Sequence, residues 1–228
     1  LAYFSGGFSG ILPEGYTLAQ YARRGFFEMC AICAINLLLV AACLGLSRKQ
    51  EGKAPLSTRL VCLFIGGVTL FLVATASGKM LLYIGTYGLT RLRVLTETFM
   101  VWLGCTTLLV CIWLFRPRLP YMKVTLLLAL ALCAALMWAD VDTQVARYNV
   151  RGYQSGKLDT VDVSHLGELS HSAVPYLQEL TTYADPDVSA QATAILRRKA
   201  KNTDFDADDL RGWNAPKAQA LKILEQFQ

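Results

Sequence analysis

Residues 26–46 read FFEMCAICAINLLLVAACLGL, with a single carboxylate, a single side-chain amide and no basic residue. A helix rises about 1.5 Å per residue, so a hydrocarbon core of roughly 30 Å takes about 20 residues to cross. This stretch is long enough and apolar enough to do so. Three further runs repeat the pattern: Leu60–Ala76, Thr98–Phe115 and Tyr121–Ala139. Together they draw four membrane spans, at about 26–46, 60–78, 98–115 and 121–139. The expected fold class is all-α: a polytopic membrane protein with four transmembrane helices and a small helical C-terminal tail.

Composition agrees with that reading. Hydrophobic residues make up 54% of the chain and charged ones 17%, against about 25% charged in soluble domains. Charge also divides along the chain. Residues 1–139 carry twelve Lys and Arg against four Glu, and every Asp falls later. Residues 140–228 carry ten Lys and Arg against thirteen acids. The net charge of +5 is therefore no nucleic-acid signal, because the cations border apolar runs instead of lining a groove. Three parts follow: a lead-in segment 1–25, a membrane domain 26–139 and a soluble helical tail 140–228. The chain begins at Leu1 without a basic stretch leading into an apolar one. No signal peptide is read there, and a fragment of a longer protein is expected.

The interiors of the runs offer little chemistry. All seven Cys lie within them, and Cys30 and Cys33 form a C-x-x-C flanked by Met29, Ala31 and Ile32. Redox or metal work needs a polar, accessible thiolate, so packing is the expected role. Asn36 lies roughly 15 Å along its helix from Phe26, near mid-bilayer. An interhelical hydrogen bond is the plainer reading and the polar lining of a pathway the sharper one. Gly66, Gly67, Ala74 and Gly78 are small enough for close helix contact.

The ends of the runs are richer. Tyr16–Gly25 reads as an interfacial helix capped by Thr17. Strict alternation of four spans brings Arg23, Arg24, Glu28, Lys79, Arg91, Arg93, Glu97, Asp140, Asp142 and Arg147 to one membrane face. From these, Arg23, Arg24, Glu28, Arg91, Arg93, Glu97, Asp140 and Arg147 form the candidate polar cluster. Adjacent-turn pairs, Arg24 with Glu28 and Arg93 with Glu97, would satisfy both acids without function. A site for an anionic headgroup is the sharper alternative. The loops at 47–59 and 116–123 hold seven Lys and Arg, which leans them to the cytoplasm and the tail outside. Counting Arg147 and Arg151 on the other side makes the numbers equal.

After a connector, Asp159–Leu169 and Ser172–Thr182 are expected helices. Asp185-Pro186-Asp187 is a helix start, because Asp caps, Pro fits the first turn and acid suits the positive helix end. Val188, Ala192, Ile195 and Leu196 then share an apolar face, and a last helix begins near Asn214-Ala215-Pro216. Such a unit is short of core and is expected to lean on the membrane part or on a partner. Asp159, Asp162, His165 and His171 gather the only His, but a solvated face explains them and no metal site is expected. Asp204–Asp209 fails as a calcium loop, since position six is Asp209 and position twelve Ala215. These acids are read as caps for a helix carrying Leu210, Arg211 and Trp213. No catalytic residue, cofactor or nucleotide motif is found, and nothing demands an enzyme.

Four stretches stand out together: Leu12–Glu28 (LPEGYTLAQYARRGFFE), Tyr83 with Tyr87–Arg93 (YGLTRLR), Ala146–Asn149 (ARYN) with Gly156–Asp159 (GKLD), and Leu210–Asn214 (LRGWN). In this order they resemble the DUF4173 family of bacterial polytopic membrane proteins, close to the DUF4153 group. The resemblance implies the C-terminal part of a longer protein in a bacterial cell membrane, and it implies no activity. The functional expectation is a membrane scaffold or envelope-signalling protein. Its partners would be the lipid bilayer and a protein that meets the tail. The alternative is a transporter or lipid-handling protein with a polar site at one interface.

Overall fold

A computed structural model describes residues 18–47, 54–203 and 215–228. Among the described residues regular structure is entirely helical. The helices are α1 (Leu18–Leu46), α2 (Leu56–Tyr87), α3 (Arg91–Phe115), α4 (Tyr121–Trp138), α5 (Val141–Gln154), α6 (Val163–Glu168), α7 (Val174–Thr181), α8 (Pro186–Lys201) and α9 (Ala215–Leu224). Short 3-10 turns at His171–Ala173 and Glu225–Phe227 complete them. Four helices, α1 from Glu28 with α2, α3 and α4, are long and apolar enough to cross a membrane. The architecture is compatible with a multi-pass membrane protein.

Several helices outrun the spans drawn from hydropathy. α1 is unbroken from Leu18, so the end of the lead-in segment continues directly into the first span. α2 carries on past 78 to Tyr87, and α3 begins at Arg91 instead of 98. Hydropathy marks only the lipid-soluble part of a helix, whereas backbone hydrogen bonding continues through boundary residues such as Lys79 and Arg93. In the tail, the connector after the fourth span is the helix α5. Its buried face mixes Val145, Ala146 and Val150 with Asn149 and Gly152, which hides the apolar period. The helix expected over Asp159–Leu169 shrinks to α6, because Asp162 accepts from His165 N at 2.8 Å and starts the helix there. The caps read into Asp204–Asp209, the helix on Leu210, Arg211 and Trp213, and the Thr17 cap lie outside the described residues.

The chain divides into two compact units. One contains the spans, up to Ile84 and from Leu92 to Ala135. The other contains Gly85–Arg91 together with Leu136–Gln228. The α2–α3 connection thus belongs to the tail's unit.

In the span unit, Met29 and Cys33 of α1, Leu72, Val73 and Ala76 of α2, and Met100 and Leu103 of α3 form one buried cluster. Val40, Cys62 and Leu114 form a second. A Cβ at Gly66 would run into Cys111 Sγ, so this glycine permits the close approach of α2 and α3. Gly67 faces open space and Ala74 is exposed, so they serve no such contact. Asn36 Nδ2 donates to Thr69 Oγ1 at 3.0 Å, and the Thr69 hydroxyl donates to Ile65 O at 2.8 Å. Thr75, Thr98 and Thr107 likewise donate to carbonyls one turn back. α4 contributes no buried residue. It is held by Trp102 Nε1 donating to Thr125 O at 3.2 Å and by Trp113 against Tyr121. Its outward Leu126, Leu127 and Met137 suit a lipid solvent.

The tail unit has a core of its own. Val145, Val150, Leu166, Val174, Leu177, Leu180, Leu196 and Leu224 are all fully buried. α8 begins as its sequence predicts: Asp185 Oδ1 accepts from Asp187 N at 3.0 Å and Val188 N at 3.4 Å, with Pro186 in the first turn. Ala192, Ile195 and Leu196 turn inward from it. Tyr153 Oη reaches the same cap, donating to Asp185 Oδ2 at 3.0 Å.

Candidate functional site

The polar groups of the tail unit gather around α5 and the Gly85–Arg91 connection. Gly88 turns the chain with φ +77°, a left-handed conformation that glycine adopts freely. A Cβ there would also stand 2.5 Å from Asn149 Oδ1. The turn presents both backbone groups of Leu89 to Asn149. Leu89 N donates to Asn149 Oδ1 at 2.6 Å, and Asn149 Nδ2 donates to Leu89 O at 2.8 Å. One side chain, only 8% exposed, therefore satisfies both backbone groups of a single residue.

Two residues on, Arg91 makes a two-pronged ion pair with Asp142, Nε to Oδ1 and Nη2 to Oδ2. Asp142 Oδ2 also accepts from Ser170 N at 2.9 Å. The guanidinium, reinforced by the Ser170 contacts, pulls the Asp142 carboxyl down to about 2 against the cost of its burial. Asp140 has φ 43°, a conformation Asp tolerates better than most residues. It caps α5, accepting from Thr143 N at 3.3 Å and from the Thr143 hydroxyl at 2.8 Å.

Beside this clamp lies a hollow of about 410 Å³, floored by Leu89 and Gly152 and edged by Arg147, Arg151, Lys157 and Tyr148, with Gln144 and Ser155. Arg147 and Arg151 are one turn apart on α5. Lys157 is folded back by Gly156 (φ +71°), with Lys157 N and Leu158 N both donating to Gly152 O, at 2.9 and 3.0 Å. Its Nζ sits 5.1 Å from the centre of the Tyr148 ring. A second hollow of about 390 Å³ has Arg151, Tyr176, Glu179, Pro216 and Gln219 among its lining.

The residues expected to form one cluster are thus divided between the two units. Arg91, Asp140 and Arg147 belong to the tail unit, whereas Arg23, Arg24, Glu28, Arg93 and Glu97 belong to the spans. The Arg93 guanidinium stands 4.0 Å over the Tyr83 ring. Glu97 Oε2 is buried and has no hydrogen-bond partner among the described residues. Arg23 and Arg24 lie on α1, and their side chains are outside the described ones. Asn36 is engaged with Thr69, and the two hollows are lined by other residues. Asp162 is a helix cap, and no group of three or more metal-ligating side chains occurs among the described residues.

Asn149, Arg151 and Lys157 were absent from the expected cluster. The signal lay in ARYN and GKLD, two of the stretches that carry the family resemblance, because Asn149 ends one and Lys157 falls in the other.

Fold and site together define a polytopic α-helical protein whose tail unit incorporates a span-to-span connection. The chain belongs to the family described as a domain of unknown function, DUF4153, which matches residues 1–180. That match covers the spans and the tail through most of α7, and it bears out the likeness to the DUF4153 group but not the finer DUF4173 label. None of the curated proteins and none of the solved structures matches the chain.

Proposed function

We propose that the protein is a membrane-anchored scaffold whose helical tail is an interaction module. The observation that carries this is the clamp. Asn149 and Asp142 bind the 85–91 connection into the folded tail, so this unit is built from two separate stretches of the chain. A unit assembled in this way is ordered before any partner arrives, as a docking platform requires. Within the spans, Asn36 is engaged by Thr69, and Thr69, Thr75, Thr98 and Thr107 by their own helix, which favours a packed bundle over a transport pathway, although Glu97 Oε2 and the Thr106 and Thr125 hydroxyls have no partner among the described residues. The protein partner would meet the exposed face around Tyr176 and Gln219, and the bilayer would surround the spans.

The same reading assigns the protein to a bacterial cell membrane, with the loops at 47–59 and 116–123 cytoplasmic and the tail outside. A photo-crosslinking residue at Tyr176 or Gln219, introduced in the native host, tests the scaffold. The expected result is one discrete adduct that weakens in Asn149→Ala. Flux of a solute across proteoliposomes containing the protein, above that of empty vesicles, would contradict the proposal in favour of a transporter.

A further inference from the structure

We infer that the hollow on α5 is a binding site for a phosphate group, carried either on an anionic lipid headgroup or as free phosphate. Three cations, Arg147, Arg151 and Lys157, edge it, and its lining contains no carboxylate. The nearby acids of the same helix are committed elsewhere: Asp140 to the α5 cap and Asp142 to Arg91 and Ser170 N. Like charges one turn apart destabilise a helix, a cost that an anion between them reverses. Two guanidinium forks and an ammonium suit phosphate oxygens, which accept two-pronged hydrogen bonds.

The site is also held in shape before anything binds. Its floor at Leu89 is fixed by Asn149, and a Cβ at Gly152 would stand 2.8 Å from Leu158, so the helix and the returning strand of chain are in close contact there. Gly156 and the two hydrogen bonds to Gly152 O bring Lys157 to the rim, where the Tyr148 ring orients its ammonium. Such preorganisation reduces the ordering cost of binding. A volume of about 410 Å³ has room for a phosphate with a glycerol-sized substituent. Arg147 lies midway along α5, a helix that starts three residues after the last span ends.

The test uses the full chain in a maltoside detergent, titrated calorimetrically in phosphate-free buffer. The titrants are inorganic phosphate, dihexanoyl phosphatidylglycerol and, as a control without phosphate, dihexanoyl glycerol. Saturable binding of phosphatidylglycerol alone assigns the site to a lipid headgroup, and binding of inorganic phosphate as well assigns it to the phosphate itself. Either supports the inference when Arg147→Gln/Arg151→Gln weakens it by about tenfold or more and Arg116→Gln/Arg118→Gln leaves it unchanged. No saturable binding of either phosphate compound, binding of the control as tight as theirs, or wild-type affinity in the α5 double variant overturns it. If circular dichroism shows that the double variant has not folded, Lys157→Gln decides: unchanged affinity overturns the site, and reduced affinity supports it. Failure of this test leaves the scaffold reading standing, since the clamp does not use these three cations.

Discussion

The span unit and the tail unit are both helical, but the spans leave many large apolar side chains exposed whereas the tail buries them, and that difference decides what holds each together. In the tail, aliphatic side chains such as Leu166, Leu177 and Leu196 are buried completely. Area burial is the main driving force there. In the spans, Leu38, Phe64 and Met137 point outward as readily as Met29 and Met100 point inward. Lipid is as apolar as leucine, so cohesion comes from close packing at Gly66 and from the Asn36–Thr69 hydrogen bond. The connection at 85–91 joins the tail because Asn149 supplies partners for its polar backbone at Leu89.

Breaking the tail's core should produce the largest effect. Leu177→Ala opens a cavity at a fully buried site and is expected to cost the tail about 2–5 kcal/mol. Pulse proteolysis of the full chain across a urea series reads this as an earlier cleavage midpoint within the tail.

Cutting the clamp comes next. Asn149→Ala leaves Leu89 N and Leu89 O without their partner, at about 1–3 kcal/mol. Gly88→Ala should act in the same direction through its positive φ and its collision with Asn149. Proteolysis between Tyr87 and Arg91 should accelerate in both variants.

The ion pair offers a pH signature. An Asp in an unfolded chain titrates near 3.9, at about the value of model peptides, whereas Asp142 in the folded tail titrates at about 2. Its stabilising contribution is thus complete above the unfolded value and fades as pH falls from about 4 towards 2. Asp142→Asn should flatten the tail's stability across that window, which acid-unfolding curves of the two proteins would show.

The spans should respond least. Asn36→Leu removes one interhelical hydrogen bond, worth about 0.6–2 kcal/mol in a membrane. Phe64→Ala, on a lipid-facing position, should change bundle stability by only about 0.5 kcal/mol or less. Steric trapping of the bundle in bicelles would rank the two. A larger loss for Phe64→Ala would mean that α2 presents a different face to its neighbours.

Much of this was legible in the residues, for physical reasons that differ by region. Span existence follows from run length alone, and α8 announces itself because Asp185, Pro186 and Asp187 each suit one helix-start position. Which face of a span packs was not legible, since Leu and Phe serve lipid and protein alike; only Asn36 and Gly66 carried that information. α5 escaped because Asn149 and Gly152 occupy its inner face. Those are the residues that receive the connection and the Leu158 turn, so a helix built to hold other backbone loses its apolar period. The candidate cluster includes Arg91, but the sequence does not show that its carboxylate is Asp142, fifty-one positions later in the chain.

The central claim is that the 85–91 connection is part of the folded tail. Hydrogen exchange at the Leu89 amide in the full chain tests it most directly. The account predicts protection comparable to that of core amides such as Val150, and its loss in Asn149→Ala while Val150 stays protected in the folded tail. Exchange of Leu89 in the wild type at the rate of an open loop would contradict it.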